Sequence, residues 1–460
     1  MRTTQLRLLA LLAALALVAA ACGGGDAGSD TTESEAPATT EAPATTEAPA
    51  TTEAPATTEA TEAPSGSASA DGVLTLGTLL PETGDLAFLG PPEIAGARLA
   101  VEDINAAGGV LGQDVVLIEG DSGDTKTDIA NQTVDRLLAE KADAIFGAAS
   151  SAVSKTVIDK IVGANVIQFS PANTSPDFTT YNDNGLYFRT APSDLLQGRV
   201  LAQQIADQGN ASTAVIYRQE SYGEGLANAF KDNYESAGGV IPEFLAYAPD
   251  TTNFDAEVDK IVAANPDAIL VVGFEESATI LETMHQRGVG PADKNVWGVD
   301  GNTGGIGGQV GDPTILTGMK GTEPSVDLTT IQPFLDRMDG AIDGGVGGVY
   351  AYGAETYDSI TIVALAAVLA GSDDPLAIAA EINGITGGGE KCTDFASCVA
   401  VIEAGGDPDY DGLGGPYEFV EAGEPAAASY RIMTYDGEYD GGDGPGTVPN
   451  PELDVYVFAS

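Results

Sequence analysis

From Asp71 onward, short apolar runs alternate with segments whose apolar residues recur every three or four positions. "GVLTLGTLL" reads as a buried strand, and "EIAGARLAVEDINAAGG" as a helix with Ile94, Ala97, Val101 and Ile104 on one face and glycine at its end. "QDVVLIEGD", the helical "TDIANQTVDRLLAEK" with Ile129, Val134, Leu137 and Leu138 inward, and "ADAIFGAA" repeat the unit. The same beat continues through "SAVSKTVIDKIVGA" with "NVIQFS", "SDLLQGRVLAQQIADQG" with "STAVIYRQ", and "GEGLANAFKDNYESAGG" with "VIPEFLAY". It closes with "DAEVDKIVAANP" and "DAILVVG", then "ESATILETMHQRG" and "NVWGVDG". Strand and helix in strict turn predict an α/β fold with parallel sheets covered on both faces. So many strands exceed one comfortable sheet, and the extended "LYFRTAPSD" is expected to cross between two lobes.

Upstream of Asp71 the pattern is different. Met1, Arg2 and Arg7 precede "LLALLAALALVAAAC", a basic start and a short apolar run that predict a secretory signal over residues 1–21. "AAAC" before Gly23 resembles a lipoprotein processing site with Cys22 as the lipidated residue, although Ala19 stands where leucine is usual. An ordinary signal peptide cut near Ala21 is the alternative. Residues 22–70 are Ala, Thr, Glu, Pro, Ser and Gly, with "EAPATT" four times between Glu35 and Thr58. That composition buries no core; spaced prolines and like charges make it a tether reaching on the order of 100 Å at about 3 Å per residue.

Charge narrows the partners. The 19 Lys and Arg against 69 Asp and Glu give a formal net charge of −50, so nucleic acid and anionic lipid surfaces are not expected as partners, and membrane association is expected only through the lipid. Export makes the two other cysteines, Cys392 and Cys398 in "KCTDFASC", a disulfide rather than a metal pair, because their spacing and lack of a nearby His are wrong for zinc.

The ordered motifs carry a family likeness. "GTLLPETGDLAFLGPPEIAGARLAVEDINAAGGVLGQDVVLIEGDSGD", "SYGEGLANAFKDNYESAGG", "EVDKIVAANPDAILVVG" and "AYGAETYDSITIVALAA" resemble, in this order, the leucine/isoleucine/valine-binding proteins of ABC importers, across nearly all of Asp71 to Ser460. The resemblance implies a type I periplasmic binding protein fold: two doubly wound lobes, three crossing segments and a ligand cleft between the lobes. It places lobe one at 71–191 plus 328–385 and lobe two at 192–327 plus 386–460.

Within that frame, "GAASSAVSK" and "SPANTSP" sit at strand ends that lead into helices, where unpaired backbone N–H groups suit a carboxylate. Small side chains admit a ligand to the backbone, the hydroxyls of Ser150, Ser151 and Thr174 add donors, and Pro171 and Pro176 fix the loop in advance. The resemblance implies that these loops, including Ala172 and Asn173, hold an amino acid's charged ends. Helix capping is the other reading of the serines and threonine. The resemblance also puts Tyr222 and Tyr352 against the ligand and gives Asp300, at the end of "VWGVDG", the task of pairing its ammonium; the leucine-type binders have Glu there. Core packing is the alternative for each tyrosine.

An enzyme is not expected. The sole histidine, His285, sits at a predicted helix C-terminus, and no nucleophile elbow, zinc-helix or phosphate-loop motif is present; "GGIGGQVG" has the wrong spacing. No cofactor is implied. "DPDYDGLGGPYE" matches a calcium loop from Asp407 to Glu418, but the residues after it predict strands rather than an exiting helix, so no metal site is assigned. The expectation is an extracytoplasmic, lipid-anchored solute receptor for a small amino acid or related amide or carboxylate, working with an ABC permease. A ligand sensor of the same fold is the alternative.

Overall fold

The computed structural model describes residues 70–439 and 446–460. The signal segment, Cys22 and the repeat tract lie outside them. The first sheet is made of β1 (Thr75–Leu79), β2 (Val116–Ile118), β3 (Ala144–Gly147), β4 (Ile167–Ser170) and β5 (Tyr187–Arg189), with α1 (Gly90–Ala106), α2 (Ile129–Ala139) and α3 (Ser151–Gly163) between them. All pairings are parallel, in the order β2-β1-β3-β4-β5. The chain then forms α4 (Asp194–Asp207), β6 (Thr213–Arg218), α5 (Ser221–Ser236), β7 (Phe244–Tyr247), α6 (Asp255–Ala264), β8 (Ala268–Val272), α7 (Ser277–Gln286), β9 (Asn295–Gly298) and β10 (Lys320–Pro324). It continues through α8 (Gln332–Ala341), α9 (Gly353–Ala370), α10 (Pro375–Ile385), β11 (Glu390–Cys392), α11 (Phe395–Glu403), β12 (Pro408–Gly412), β13 (Gly415–Pro416), β14 (Ala428–Thr434) and β15 (Val455–Ala459).

The second sheet runs β15-β14-β10-β9-β8-β6-β7 and is parallel except where β14 pairs antiparallel with both β10 and β15. The architecture is therefore two doubly wound lobes, and the chain passes between them at 190–193, 325–331 and 418–427.

Why each sheet is covered twice is visible in single strands. Along β8, Ala268, Leu270 and Val272 enter the core under α4 and α5, while Ile269 and Val271 enter the one under α6 and α7. In β3, Ala144 and Phe146 face the core shared with α1 and α9, and Ile145 faces α2 and α3. Period-two side chains on a strand buried on both sides give the continuous apolar runs seen in the sequence. Each such buried Ile, Leu or Val contributes roughly 2 kcal/mol of burial.

Helix α1 buries Ala97, Val101 and Ile104 of its predicted face while Ile94 stays half-buried, and α2 buries Val134 and Leu137 while Ile129 and Leu138 stay half-buried. The α1–α9 contact is close enough to require glycine. A Cβ on Gly96 would sit 2.2 Å from the Gly353 carbonyl oxygen. Helix α9 is apolar and long enough to cross a membrane, yet 83% of it is buried against the rest of the protein.

One boundary differs from the expectation. Residues 386–417, assigned by resemblance to the second lobe, pack on the first: Cys392, Phe395, Cys398, Tyr410 and Tyr417 share one core with α1, α9 and α10. The reason is Asp358 of α9. It is buried, and its two oxygens accept from the Tyr410 and Tyr417 hydroxyls and from the Leu413 and Gly414 amides, which ties the small β11-β12-β13 sheet to that helix. Cys392 and Cys398 are joined in a disulfide, with Cα atoms 5.2 Å apart. Within the calcium-like stretch, the Lys391 ammonium lies 2.9 Å from both Asp409 and Asp411.

Candidate functional site

The carboxyl ends of both sheets face each other across the interlobe cleft, and the residues singled out in the sequence divide there into two groups. Ser150 closes the N-terminus of α3 by accepting from the Val153 amide at 3.4 Å, and it lines the mouth of the cleft with Asp85, Leu86, Arg218 and Phe274. Ser151 is buried and its Oγ accepts from the Ser175 amide at 3.4 Å. Ser150 is thus a helix cap, whereas Ser151 ties the start of α3 to the loop after β4.

In the loop after β4, Asn173 is wholly committed to the protein. Its Nδ2 donates to the Ala148 and Ala149 carbonyls, and its Oδ1 accepts from the Tyr187 hydroxyl at 2.9 Å. Arg189 fastens the same loop by donating to the Asn173 and Ser175 carbonyls while pairing with Glu424. Ala172 packs in the core cluster that bridges the lobes. Thr174 Oγ1 is buried beside the Asp194 carboxylate, and its hydroxyl acts to lower that acid's raised pKa.

Tyr222, Asp300 and Tyr352 converge. Asp300 follows β9 and is 4% exposed. Its Oδ1 accepts from the Tyr222 hydroxyl at 2.8 Å and from Gln197 Nε2 at 2.8 Å; its Oδ2 accepts from the Tyr352 hydroxyl at 2.7 Å. Burial raises the Asp300 pKa, and the three donors act against that rise. Burial and the acid beside them hold both phenols far above their ordinary values, so each stays a donor.

Local structure aims these groups. Tyr222 opens α5 in a turn capped by the Glu220 carboxylate, which accepts from the Tyr222 and Gly223 amides. Its ring stacks on Phe274 with centroids 5.3 Å apart. Gly301 is required beside it, because a Cβ there would lie 2.9 Å from the Gly273 carbonyl and 3.0 Å from the Tyr222 hydroxyl. Tyr352 caps α9 with φ 61°, a left-handed conformation that costs a non-glycine residue roughly 1 kcal/mol. Strain of this kind collects at functional positions, and here it delivers a first-lobe phenol to a second-lobe acid.

Further residues join this cluster that motif reading did not find. Gln197, one turn into α4, spends both amide hydrogens on Asp300 and on Thr322 Oγ1 at 3.0 Å. Asp194 at the start of α4 and Tyr430 of β14 are buried beside Asp300 and influence its charge or are influenced by it. Helix-start acids are so common that Asp194 carries no signal by itself. At the cleft mouth, Arg218 of β6 donates to Asp85 Oδ2 at 2.7 Å across the lobes, lies 3.1 Å from Glu276, and stands 4.8 Å over the Phe274 ring. Lys126 meets the other Asp85 oxygen at 2.7 Å.

Such a site can hold and orient a polar solute. It offers hydrogen-bond acceptors and phenols held from both lobes. Nothing in it matches a nucleophile with an adjacent base. Among the described residues, no group of three or more His, Cys, Asp or Glu side chains is arranged to hold a metal ion.

Comparison with known proteins agrees with this architecture. A family model described as periplasmic binding protein matches residues 73–443. The chain is 29% identical over 219 residues to Leu/Ile/Val-binding protein homolog 3 of Brucella melitensis, a match spanning 47% of this chain and 59% of that relative. It is 26% identical over 374 residues to the chemotactic signal transduction system substrate-binding protein BasB of Halobacterium salinarum, spanning 76% of this chain and 84% of BasB. Among solved structures, the branched-chain amino acid transporter substrate binding protein LivJ of Streptococcus pneumoniae, in complex with isoleucine, superposes with a TM-score of 0.67 at 21% identity, covering 84% of this chain and 99% of that one. The leucine binding protein LivK of Thermotoga maritima gives the same TM-score over 83% and 98%. With two doubly wound lobes, a polar cleft between them and a family match over most of its length, the chain belongs to the periplasmic binding protein family, and its type I fold is that of the leucine/isoleucine/valine-binding-like proteins it resembles.

Proposed function

We propose that this protein is an extracytoplasmic receptor that captures a small amino acid or a related amide or carboxylate between its lobes and delivers it to an ABC permease. The observation that carries the reading is the Asp300 carboxylate, which gathers Tyr222 and Gln197 from its own lobe and Tyr352 from the other. A solute seated there touches both lobes only when they are closed, so binding and closure are one equilibrium. Cys22, outside the described residues, is assigned to the lipid anchor and the repeat tract to reach; the receptor turns nothing over. The Leu/Ile/Val-binding relatives support transport, and BasB, which matches over more of the chain, supports the second reading of a sensor for a signalling partner.

The test is a thermal-shift and calorimetric screen of the purified protein against amino acids, amides, urea and short carboxylates. A true ligand at 100 times its dissociation constant adds about 2.7 kcal/mol of stability. Absence of any binder among these classes overturns the receptor reading.

A further inference from the structure

All three segments that pass between the lobes meet at one small cavity. Thr190 and Pro192 of the first, Ser325 and Val326 of the second, and Pro425 and Ala427 of the third line a space of about 50 Å³, room for a few water molecules. Glu355 of α9 lies on its wall, and Thr190 holds that turn by donating its hydroxyl to the Glu355 carbonyl at 2.9 Å. Glu355 stands one turn after Tyr352, whose hydroxyl crosses to Asp300, so the start of α9 serves the hinge and the site together.

A carboxyl is an unusual group to place in a hinge. Glu355 is buried, and among the described residues no ion pair neutralises it. The charges that reach it are those of acids: Asp358 from the next turn of α9 and Glu323 from β10 of the second lobe. Glu93 of α1 and the Tyr417 hydroxyl feel its charge in turn, each being driven upward by burial first. Glu323 is itself buried, lies 3.6 Å from Arg431 of β14, and shares that cation with Asp454. Asp300 opposes its charge as well, and that charge reaches the Tyr352 and Tyr435 phenols. Burial pushes Glu355 up to about 8 and Glu323 up to about 7. Because the two acids belong to different lobes, their separation and their access to water change when the lobes move. An ionised carboxylate without a partner is costly in a dry cavity and costs little in a wet one.

We propose that Glu355 is a proton-operated hinge switch: neutral, it allows the three crossing segments to close around it; ionised, it draws water into the cavity and, with Glu323 opposing it from the second lobe, shifts the lobes toward the open arrangement. The closed arrangement keeps this carboxyl dry and binds its proton more tightly than the open one does. Closure is therefore favoured at low pH and is lost as pH rises through the folded value of about 8. The switch goes beyond the receptor reading, since it depends on the two-lobed fold and not on which solute the cleft takes.

The decisive experiment is solution scattering from the full chain, without solute, at about pH 6 and about pH 9, a range over which the glutamates of the repeat tract stay ionised. The wild type is expected to have the larger radius of gyration at the higher pH. Glu355→Gln, which keeps the shape of the neutral acid at every pH, is expected to shrink that increase, and Glu323→Gln to shrink it less. Near-UV circular dichroism on the same samples separates opening, which leaves the packing within each lobe intact, from unfolding, which does not. A wild-type radius that is the same at both pH values would overturn the switch. So would an increase that Glu355→Gln retains in full, or one that comes with loss of the near-UV signal. Should the variant not fold, hydrogen exchange in the wild type decides. Faster exchange at Thr190, Ser325 and Val326 at the higher pH, after correction for the intrinsic rate, supports the switch, and unchanged protection there overturns it.

Discussion

The Tyr352 hydroxyl donates to Asp300 Oδ2 at 2.7 Å, and this bond joins a residue at the start of α9 in the first lobe to one after β9 in the second. It ties the acid's position to that of the opposite lobe. Tyr352→Phe keeps the ring and removes only this donor. A hydrogen bond to a charged group contributes about 1.5–3 kcal/mol, so affinity for any solute bound in the cleft is expected to fall by roughly 10-fold or more. Calorimetry checks it, and unchanged affinity would detach Tyr352 from the site.

Asp300→Ala removes the acceptor that three donors share, and Asp300→Asn keeps its volume without its charge. For a solute with a cationic nitrogen both variants are expected to lose about 2–5 kcal/mol of binding, measured by the same titration. A solute lacking such a group is the control and should lose much less.

A second contact across the lobes is the ion pair at the cleft mouth. Arg218 is 2% exposed and Asp85 7%, and burial, which opposes the guanidinium charge, is outweighed by Glu276 and Asp85. Removing one partner of a buried pair costs about 3–5 kcal/mol, and Glu276 will soften that here. Asp85→Ala is expected to shift the lobes toward the open arrangement, seen as a larger radius of gyration in solution scattering with solute present and a faster solute off-rate. Identical scattering curves would count against a latch.

Glu355, in the first turn of α9, is fully buried and its pKa is pushed up to about 8 by burial, helped by Asp358 and Glu323. Glu93, buried with both carboxyl oxygens unpartnered, is raised by burial and then by Glu355. A raised carboxyl binds its proton more tightly folded than unfolded, so its contribution is intact at low pH and is lost as pH rises through the folded value. The unfolding midpoint should therefore decline between about pH 5 and pH 9. Glu355→Gln should flatten that decline. A variant with the same slope as the wild type would show that Glu355 does not titrate in this window.

The Cys392–Cys398 disulfide closes a short loop within the first-lobe core. Replacing both with serine is expected to cost about 2 kcal/mol by the loop-entropy argument, or several degrees in the first lobe's unfolding midpoint by calorimetry. Two free thiols in exported protein, found by mass spectrometry, would refute the bridge.

Cys22→Ala tests the anchor. The variant is expected in the medium or soluble fraction, and membrane association equal to wild type would refute lipidation at this residue.

The strand and helix order could be read from the chain because every repeat carries its own period, and β8 buried on both faces is the clearest instance. Tyr222, Asp300 and Tyr352 could be read because they sit at motif positions. Asp194 and Tyr430 could not: one is a routine helix-start acid and the other lies in the core of an antiparallel strand, and only folding brings them beside Asp300. Residues 386–417 were misassigned for a similar reason. Nothing local marks Tyr410 and Tyr417 as partners of Asp358, which precedes them by two helices.

Helix α9 sets the order in which the molecule becomes self-sufficient. Its apolar surface covers the face of a sheet whose five strands are complete by Arg189, but it is synthesised only after five of the seven strands of the other sheet. Until Gly353–Ala370 emerges, that face of the first lobe is covered by α1 alone, and the rest of it is a sticky surface on an unfinished chain. A fragment ending before Gly353 should accordingly be a client for chaperones, not a half-receptor, and the contacts that close this lobe are the long-range kind that slow folding.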